Sequence, residues 1–523
     1  MDPGKASSYD EVPYGDSCFF DTHPDYLATL AGLHGLAPAG VDRCRVLELG
    51  CAGGGNLIPM ALENPDARFV GVDLSPRQVA AGQAIVAELG LGNIDLRATD
   101  LTAIDDRFGP FDYIVCHGVF SWVPDAVRDA ILAICRDRLT PHGIAYVSYN
   151  TYPGWHGRGM VREMLAYHVR RPAPALVRAE RARGFLDELL QVLPDKSTAY
   201  ARTLRNEDAF LRQVADSYLI HEHLDETNQP LYFHEFLSLA EAKGLRFVAE
   251  ARSAGLVDGL PPDARVALER WADDRRAAEQ YLDFLCNRTF RRTLLCHAHR
   301  EPSPEASAAG VSSLWVSTRV VPASAEPDTQ SAAVEEFRRP EDGSVVSTNN
   351  PVIKLALVIL HEERPRAVAF DDLCARVIAR LVPGLMGDGY DVRTALREAL
   401  LRCFLSELVV LHTRPPRFAP AAGARPVASP LARVQARDAE RVTTLRRRNA
   451  DVKGFDRLVL LLLDGTRDRA ALLDAMADQV ASGAFAVVHG DEPVSDAAVI
   501  REVLAAELEP CLSRLAAMAM LQG

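Results

Sequence analysis

Three carboxylates stand at or beside the ends of three successive apolar runs: Glu48 in RVLELG, Asp73 in RFVGVD and Asp100 in IDLRATD. Between the first two lies Gly50-Cys51-Ala52-Gly53-Gly54-Gly55-Asn56, whose glycines permit a sharp turn and close approach of backbone to a ligand. A fourth run, FDYIVCHG, ends on His117 and Gly118, and a fifth, IAYVSYN, leads into Tyr152 and Trp155. One solvated acid in a turn is unremarkable, but three acids and a glycine loop at successive strand ends point to a shared binding edge.

The loop alone fits two ligands. It reads as G-x-A-x-x-G, a degenerate dinucleotide fingerprint, or as E-x-G-x-A-x-G, the version used for a methyl donor. Charge separates them, because a carboxylate at the strand tip repels a pyrophosphate and attracts the ammonium and sulfonium of S-adenosylmethionine. Asp73 stands where a carboxylate can accept hydrogen bonds from both ribose hydroxyls, with Leu74 next to it. Asp100 can accept from an adenine amino group while Leu101 packs on the ring. His117 and Gly118 should reach the methyl group, and His117 is the first candidate for positioning the acceptor or removing its proton. Tyr149, Tyr152 and Trp155 after the fifth strand, Phe120 and Trp122 after the fourth, and Tyr9 and Tyr14 near the start offer aromatic faces suited to cationic groups. Tyr149 and Trp155 join His117 as catalytic candidates, although core packing is the ordinary reading of any single one. Cys296-His297-x-His299 matches no common zinc spacing, and no metal is expected.

The elements that must hold these residues follow from periodicity. From Arg45 the chain alternates β-rich runs with amphipathic helices near 56–63, 76–89 and 125–138, which implies right-handed βαβ units and a mostly parallel sheet. Such sheets bind ligands beyond the carboxyl ends of their strands. After Asn150 the pattern turns helical, at 157–170, 175–193 and 207–222, before a helix, a glycine stop and a strand return at 234–252. The stretch 151–232 is therefore a helical insertion between two strands of one sheet, a cap over the ligand end. A further helical stretch is expected at 265–297, an additional strand at 312–321, and a strand pair around Glu341–Ser344. Helices at 352–361, 369–381 and 391–405 followed by ELVVLHT resemble a winged helix, and 436–521 reads as largely helical. The resulting domains are a lid segment 1–40, the cofactor-binding core 41–150, the cap 151–232, the end of the sheet with regulatory helices 233–330, a winged-helix-like domain 331–417 and a helical domain 436–523.

A chain of 523 residues with 48% hydrophobic and 25% charged residues has material for several globular cores. Its net charge of −13 argues against general binding of nucleic acid, where phosphate attraction dominates. The start has no apolar signal core and the longest aliphatic run, Leu458–Leu463, is far too short to span a bilayer, so neither export nor membrane insertion is expected. Ten cysteines without a CxxC pair fit reduced, buried thiols and a cytoplasmic location.

The stretch from Tyr9 to His156 resembles class I S-adenosylmethionine-dependent methyltransferases of the bacterial group that carries a methyltransferase regulatory domain, including rickettsial protein-lysine methyltransferases acting on outer-membrane proteins. The likeness rests on SYDEVPY, THP, ELGCAGGGN, GVDLS, DYIVCHGVFSWVP and SYNTYPGWH, and extends through YLIHEHLDETNQPLYFHEF and EQYLDFLCNRTFRRTLLC, which look like the regulatory domain. It implies a Rossmann-like class I sheet, S-adenosyl-L-methionine as cofactor, and Glu48, Gly50, Ala52, Gly54, Asp73 and Asp100 as its holders; Asn56, at the end of the glycine loop, is a further cofactor-binding candidate. The YDEVPY segment with Tyr14 would close over it. Ala52 departs from the commoner middle glycine and narrows the backbone approach. The reaction implied is methyl transfer, with protein lysine the leading acceptor. A small-molecule or peptide natural-product acceptor and a non-catalytic adaptor stay open beside it. A protein or peptide substrate is the expected partner, and the helical insertion offers faces that a homodimer could use.

Overall fold

After a first helix, α1 (Pro24–Leu33), β-branched and aromatic runs build the parallel half of a sheet: β1 (Arg45–Leu49), β2 (Arg68–Asp73), β3 (Ile94–Ala98), β4 (Phe111–Cys116) and β5 (Leu139–Asn150). The intervening helices are α2 (Leu57–Glu63), α3 (Pro76–Glu88) and α4 (Asp125–Arg138). Helices on the sheet faces bury both sides of the strands, and β1 is accordingly buried at Val46, Leu47, Glu48 and Leu49. The structure, a computed structural model, describes residues 12, 17–252, 259–387, 389–486, 488–489, 492–494 and 496–522. It falls into two units: Leu30–Ala87 and Gly92–Glu305 belong to the first, and Ser17–Thr29, Glu88–Leu91 and Ala306–Gly523 to the second.

Five helices follow β5: α5 (Gly154–His168), α6 (Ala175–Val192), α7 (Ala199–Leu211), α8 (Asp216–His223) and α9 (Phe233–Ala242). They form an excursion from the sheet, which resumes with β6 (Leu245–Glu250). The helix expected at 207–222 is two helices, α7 and α8, broken between Leu211 and Asp216. Their core of Leu165, Ala179, Ala182, Leu186, Leu204 and Leu219 is separate from that of the sheet, and Val12 packs against it.

The helical stretch expected at 265–297 holds only in part. It contains α10 (Pro262–Trp271) and α11 (Arg275–Cys286), and then a strand, β7 (Phe290–His297). Asn287 stops α11 in a left-handed conformation with φ 47°. The strand order is β3-β2-β1-β4-β5-β7-β6, with β7 antiparallel to both neighbours. Strand order reverses between β1 and β4, so the ligand crevice of this sheet lies outside their carboxyl ends. Cys296 and His297 end β7, and the His297 ring stacks on His299 with centroids 5.4 Å apart.

In the second unit, β8 (Trp315–Thr318) lies within the expected 312–321 strand but belongs to a different sheet, flanked by Val368–Ala369 and Val409–His412. Asp25 accepts from His412 Nδ1 at 3.0 Å and the other ring nitrogen meets Ser317 Oγ at 3.0 Å, which fixes the N-terminal segment to this sheet. Glu335–Arg338 pairs antiparallel with Val345–Thr348, the hairpin expected around Glu341–Ser344. Beyond residue 424 the chain carries helices Pro430–Gln435, Gly454–Leu462, Arg469–Ala481 and Ala497–Ala517 with short hairpins between them.

Candidate active site

The glycine loop is fastened to β2. Gly50 N and Cys51 N both donate to Val72 O, at 2.8 and 3.0 Å, and Ala52 N donates to Asp73 Oδ2 at 2.9 Å. Gly50 and Gly54 have φ near +77° and +78°, and a Cβ on Gly50 would lie 2.3 Å from Val119 Cγ2. Ala52 shares the left-handed region at φ 49°, a strained position for a residue with a Cβ. The departure seen in the sequence is thus a backbone feature as well as a steric one.

Glu48 is 3% exposed at the end of β1. Its Oε1 accepts from Asn56 Nδ2 at 2.8 Å, while Oε2 is buried without a hydrogen-bond partner among the described residues. Burial, opposed by the Asn56 bond and reinforced by Asp73, pushes its pKa up to about 7. A buried acceptor with one oxygen unanswered is a site for a donor that arrives, and a cation would relieve its desolvation. Asp73 uses one oxygen on Ala52 N and the other on Ser75 N, so it braces the loop. Leu74 beside it is 54% exposed. Asp100 caps a short turn through Thr102 N at 2.9 Å, followed by half-buried Leu101. Because Asp73 pairs in register with Ala98, the ends of β2 and β3 are level and bring Asp73 and Asp100 to one edge.

His117 and Gly118 leave β4 at the same edge. His117 Nδ1 meets Tyr146 Oη at 2.9 Å, and Gly118 N donates to Ser148 Oγ at 2.8 Å, so β5 fixes the corner. Burial, with Arg292 adding to it, pulls the His117 pKa down to about 3, so the ring is neutral at ordinary pH. Trp155 opens α5 and meets Trp122 edge to face at 6.1 Å. Tyr149 is placed differently: its ring stacks on Phe236 at 4.0 Å and its hydroxyl meets Thr293 Oγ1 at 3.3 Å within the core. Tyr149 is therefore a core residue and not one of the ligand-facing aromatics, because strand alternation turns it into the sheet face. Tyr14 and Tyr9 lie outside the described residues.

The loop after α8 crosses this edge. Gln229 N donates to Ser121 O at 2.9 Å, Asn150 Nδ2 to Asn228 Oδ1 at 3.0 Å, and Leu231 N to Asn150 O at 3.1 Å. The insertion therefore stands over the carboxyl ends of β4 and β5. Sequence reasoning passed over Tyr146 and Ser148, whose only signal is their alternation with Val147 on β5.

Family models match three parts of the chain: "Methyltransferase domain" over residues 47–145, "Predicted methyltransferase regulatory domain" over 215–297, and "PKMT, C-terminal winged helix domain" over 424–520. Protein RP789 of Rickettsia prowazekii (strain Madrid E) is 32% identical over 519 residues, covering 98% of this chain and 93% of its own. The chain belongs to the class I methyltransferases that carry a methyltransferase regulatory domain. This methyltransferase is also similar to a solved structure of PKMT2 from Rickettsia typhi in complex with AdoHcy, with a TM-score of 0.86 and 27% identity, covering 98% of this chain and all of the other. A second Rickettsia prowazekii protein, RP028, is 38% identical over 241 residues, 46% of the methyltransferase. The family uses S-adenosylmethionine, and the unanswered Glu48 oxygen beside a positive-φ loop fits a donor that carries an ammonium and no phosphate. The winged-helix match falls on 424–520, the region read from its pattern as largely helical.

Proposed function

We propose that this methyltransferase modifies protein lysine side chains. The reading is carried by one observation: the similarity to PKMT2 runs through 98% of the chain, including the insertion and the C-terminal region, rather than ending with the cofactor sheet. In this proposal Glu48, Gly50, Ala52, Gly54 and Asn56 hold the methionine end of the donor. Asp73 and Leu74 hold the ribose, and Asp100 and Leu101 the adenine, while His117 and Trp155 face the acceptor. Tyr14 would complete the site from the N-terminal segment.

Bound S-adenosylmethionine supplies a methyl group already activated on a sulfonium, so the protein's work is to present a neutral nucleophile in line with it. Lysine at pH 7 is protonated, and removing the proton costs roughly 4–5 kcal/mol from a reference pKa near 10.4. The wall formed by Trp122 and Trp155 excludes water from the acceptor end, which lowers that cost. Neutral His117, held by Tyr146, can accept a hydrogen bond from the amine, which a protonated ring could not. We place the reaction in the cytoplasm, on the support of ten free cysteines; among the described residues no helix is long and apolar enough to cross a membrane.

The test is transfer of labelled methyl groups from S-adenosylmethionine into cell lysate, followed by hydrolysis of the protein fraction. Label recovered as methyl-lysine is the expected result. Label confined to small molecules would overturn the reading.

A further inference from the structure

Five aromatic rings of the first unit form a continuous row. Tyr152, just after β5, lies 5.2 Å from Tyr232, the residue before α9, and Tyr232 meets Phe284 of α11 edge to face at 6.0 Å. Phe284 meets Tyr281 at 6.0 Å, and Tyr281 meets Trp271, the last residue of α10, at 5.7 Å. Two imidazoles flank the row. His156 stacks on Tyr152 at 4.1 Å with its Nε2 3.1 Å from Tyr232 Oη, and His234 stacks on Tyr232 at 5.6 Å. Tyr281 and Phe284 share a face of α11 by their spacing of three, and His234 Nδ1 donates to Gln280 Oε1 at 2.8 Å, which ties α11 to α9. These rings are not a core. Phe284 is 47% and Trp271 43% exposed, and Tyr152, Tyr232 and Tyr281 are half-buried. A single exposed ring is ordinary, whereas a contiguous row of them marks a surface that meets a partner.

The charge beside the row selects the partner. Glu235 Oε2 accepts from Tyr232 N at 2.8 Å, and Glu163 follows His156 by seven residues, two turns along the same face of α5. Both acids are exposed, and neither makes an ion pair among the described residues. Burial, with Tyr232, Glu235 and Glu163 adding to it, raises the pKa of the Tyr152 hydroxyl. At the far end, exposed Asp273 and Asp274 follow Trp271, against Arg270 before it. Arg276 of α11 is spent on Glu241 at 3.0 Å. Ring faces and unpaired carboxylates attract cations and turn anions away. Position completes the argument. Trp155 N donates to Thr151 O at 3.2 Å, one turn into α5, so the row starts beside the Trp155–Trp122 wall and runs outward over α9, α11 and α10. Its ring spacing is close to the roughly 6.8 Å between same-side residues of an extended chain.

We propose that the row from Tyr152 to Trp271 docks an extended, basic segment of the acceptor protein next to the residue that is methylated. The inference rests on the protein-lysine reading above, which supplies the acceptor; the rings and acids supply its charge. Lysine or arginine side chains on one side of the segment lay their aliphatic stems on Phe284, Tyr281 and Trp271 and carry their charged heads to the ring faces and to Glu163 and Glu235. Binding energy gained here is gained equally before and during methyl transfer, so it acts on KM for the protein and leaves kcat alone. The enzyme thereby chooses a lysine by the charge of the sequence around it.

The experiment uses the full-length enzyme and a fluorescein-labelled peptide of alternating arginine and alanine, about twelve residues long, which carries the charge but no lysine; a glutamate–alanine peptide is its control. By fluorescence anisotropy the wild type should bind the arginine peptide and not the control, and more weakly as salt rises. Trp271→Ala combined with Phe284→Ala should weaken that binding about tenfold, while calorimetry with S-adenosylhomocysteine shows affinity within about twofold of wild type. Glu163→Lys, a surface change away from the exposed rings, should weaken it as well and covers the case in which the double variant fails to fold. With a protein substrate found by the labelling assay, the double variant should raise KM about tenfold with kcat within about twofold, and the arginine peptide should compete with the protein but not with S-adenosylmethionine. Equal binding of the two peptides, or peptide affinity and KM that both variants leave unchanged, would overturn the docking role and leave the lysine reading standing. So would a change of oligomeric state in the double variant, which assigns the row to a contact between copies. Label on a protein nucleophile other than lysine would overturn the lysine reading alone, since the peptide measurement involves no methyl transfer. Label confined to small molecules would remove both.

Discussion

Arg291 and Glu48 are both buried on the seven-stranded sheet, and their surroundings differ in kind. Arg291, on β7, is fully buried; its guanidinium donates to Asp283 at 2.8 Å through two nitrogens, to Glu250 at 2.9 Å and to Glu279 at 3.0 Å. It also lies 4.0 Å over the ring of Phe233. Glu48, on β1, has one oxygen on Asn56 and the other on nothing described. Around Arg291, where charge joins α11 and β6 to β7, the guanidinium and the three acids answer one another from within the chain. At Glu48, which we propose receives the cationic donor, one oxygen is left unanswered among the described residues.

The comparison can be broken at its strongest point first. Arg291→Met takes from Asp283, Glu250 and Glu279 the guanidinium they share and leaves Arg288 as the cation on Asp283, and about 3–5 kcal/mol of stability should be lost in urea unfolding. Affinity for S-adenosylmethionine in the fraction that remains folded should be unchanged. A loss under 1 kcal/mol would mean that the cluster does not hold α11 to the sheet.

Glu48→Gln should do the reverse. Affinity for S-adenosylmethionine, read by calorimetry, is expected to fall by about 1.5–3 kcal/mol, the value of a hydrogen bond to a charged group, with stability equal or higher. The pH dependence has a definite sign. The folded-state pKa of Glu48 is raised from 4.5 to about 7, so between these values the folded state holds a proton that the unfolded chain has released. That contribution to stability is present below about 4.5 and is lost as pH rises through 7. A cationic ligand prefers the ionised form, so affinity should rise with pH over the same window in wild type and stay flat in the variant. A slope that survives Glu48→Gln would assign the titration elsewhere.

The smallest effect sharpens the loop itself. Ala52→Gly removes a Cβ from a left-handed residue and is expected to raise stability by about 1 kcal/mol or less, seen as a higher Tm, with cofactor affinity retained.

Much of the proposed binding edge is legible in the sequence because its signals are local. Glu48, the glycines, Asp73 and Asp100 each sit at a junction where a β-rich run meets a turn, and βαβ geometry alone aligns those junctions. The insertion is legible for the same reason, since a sheet that lost its strand alternation after Asn150 had to resume. β7 escapes because its sequence, FRRTLLCH, places two arginines where alternation should show. Arg291 is buried only by virtue of acids on α11 and β6, which no local pattern reveals. Tyr149 misleads by the opposite route, since a residue at a strand end faces either the ligand or the core according to a register that the sequence does not print.

The insertion leaves and rejoins the sheet at one point. Thr151 and Leu231 form a parallel bridge, and Thr151 Oγ1 donates to Leu231 O at 2.7 Å across 80 residues of chain. Entry and exit are thus knotted together at the end of β5, with Gly154 pressed so closely on Arg288 that a Cβ there would come within 2.5 Å of its carbonyl. A polypeptide excursion closed at its own root can lengthen, shorten or be exchanged at a cost that grows only with the logarithm of its length. The strands that grip the methyl donor would not register the change. On the proposed reading, in which the excursion meets the acceptor, acceptor choice and donor binding can change independently of each other.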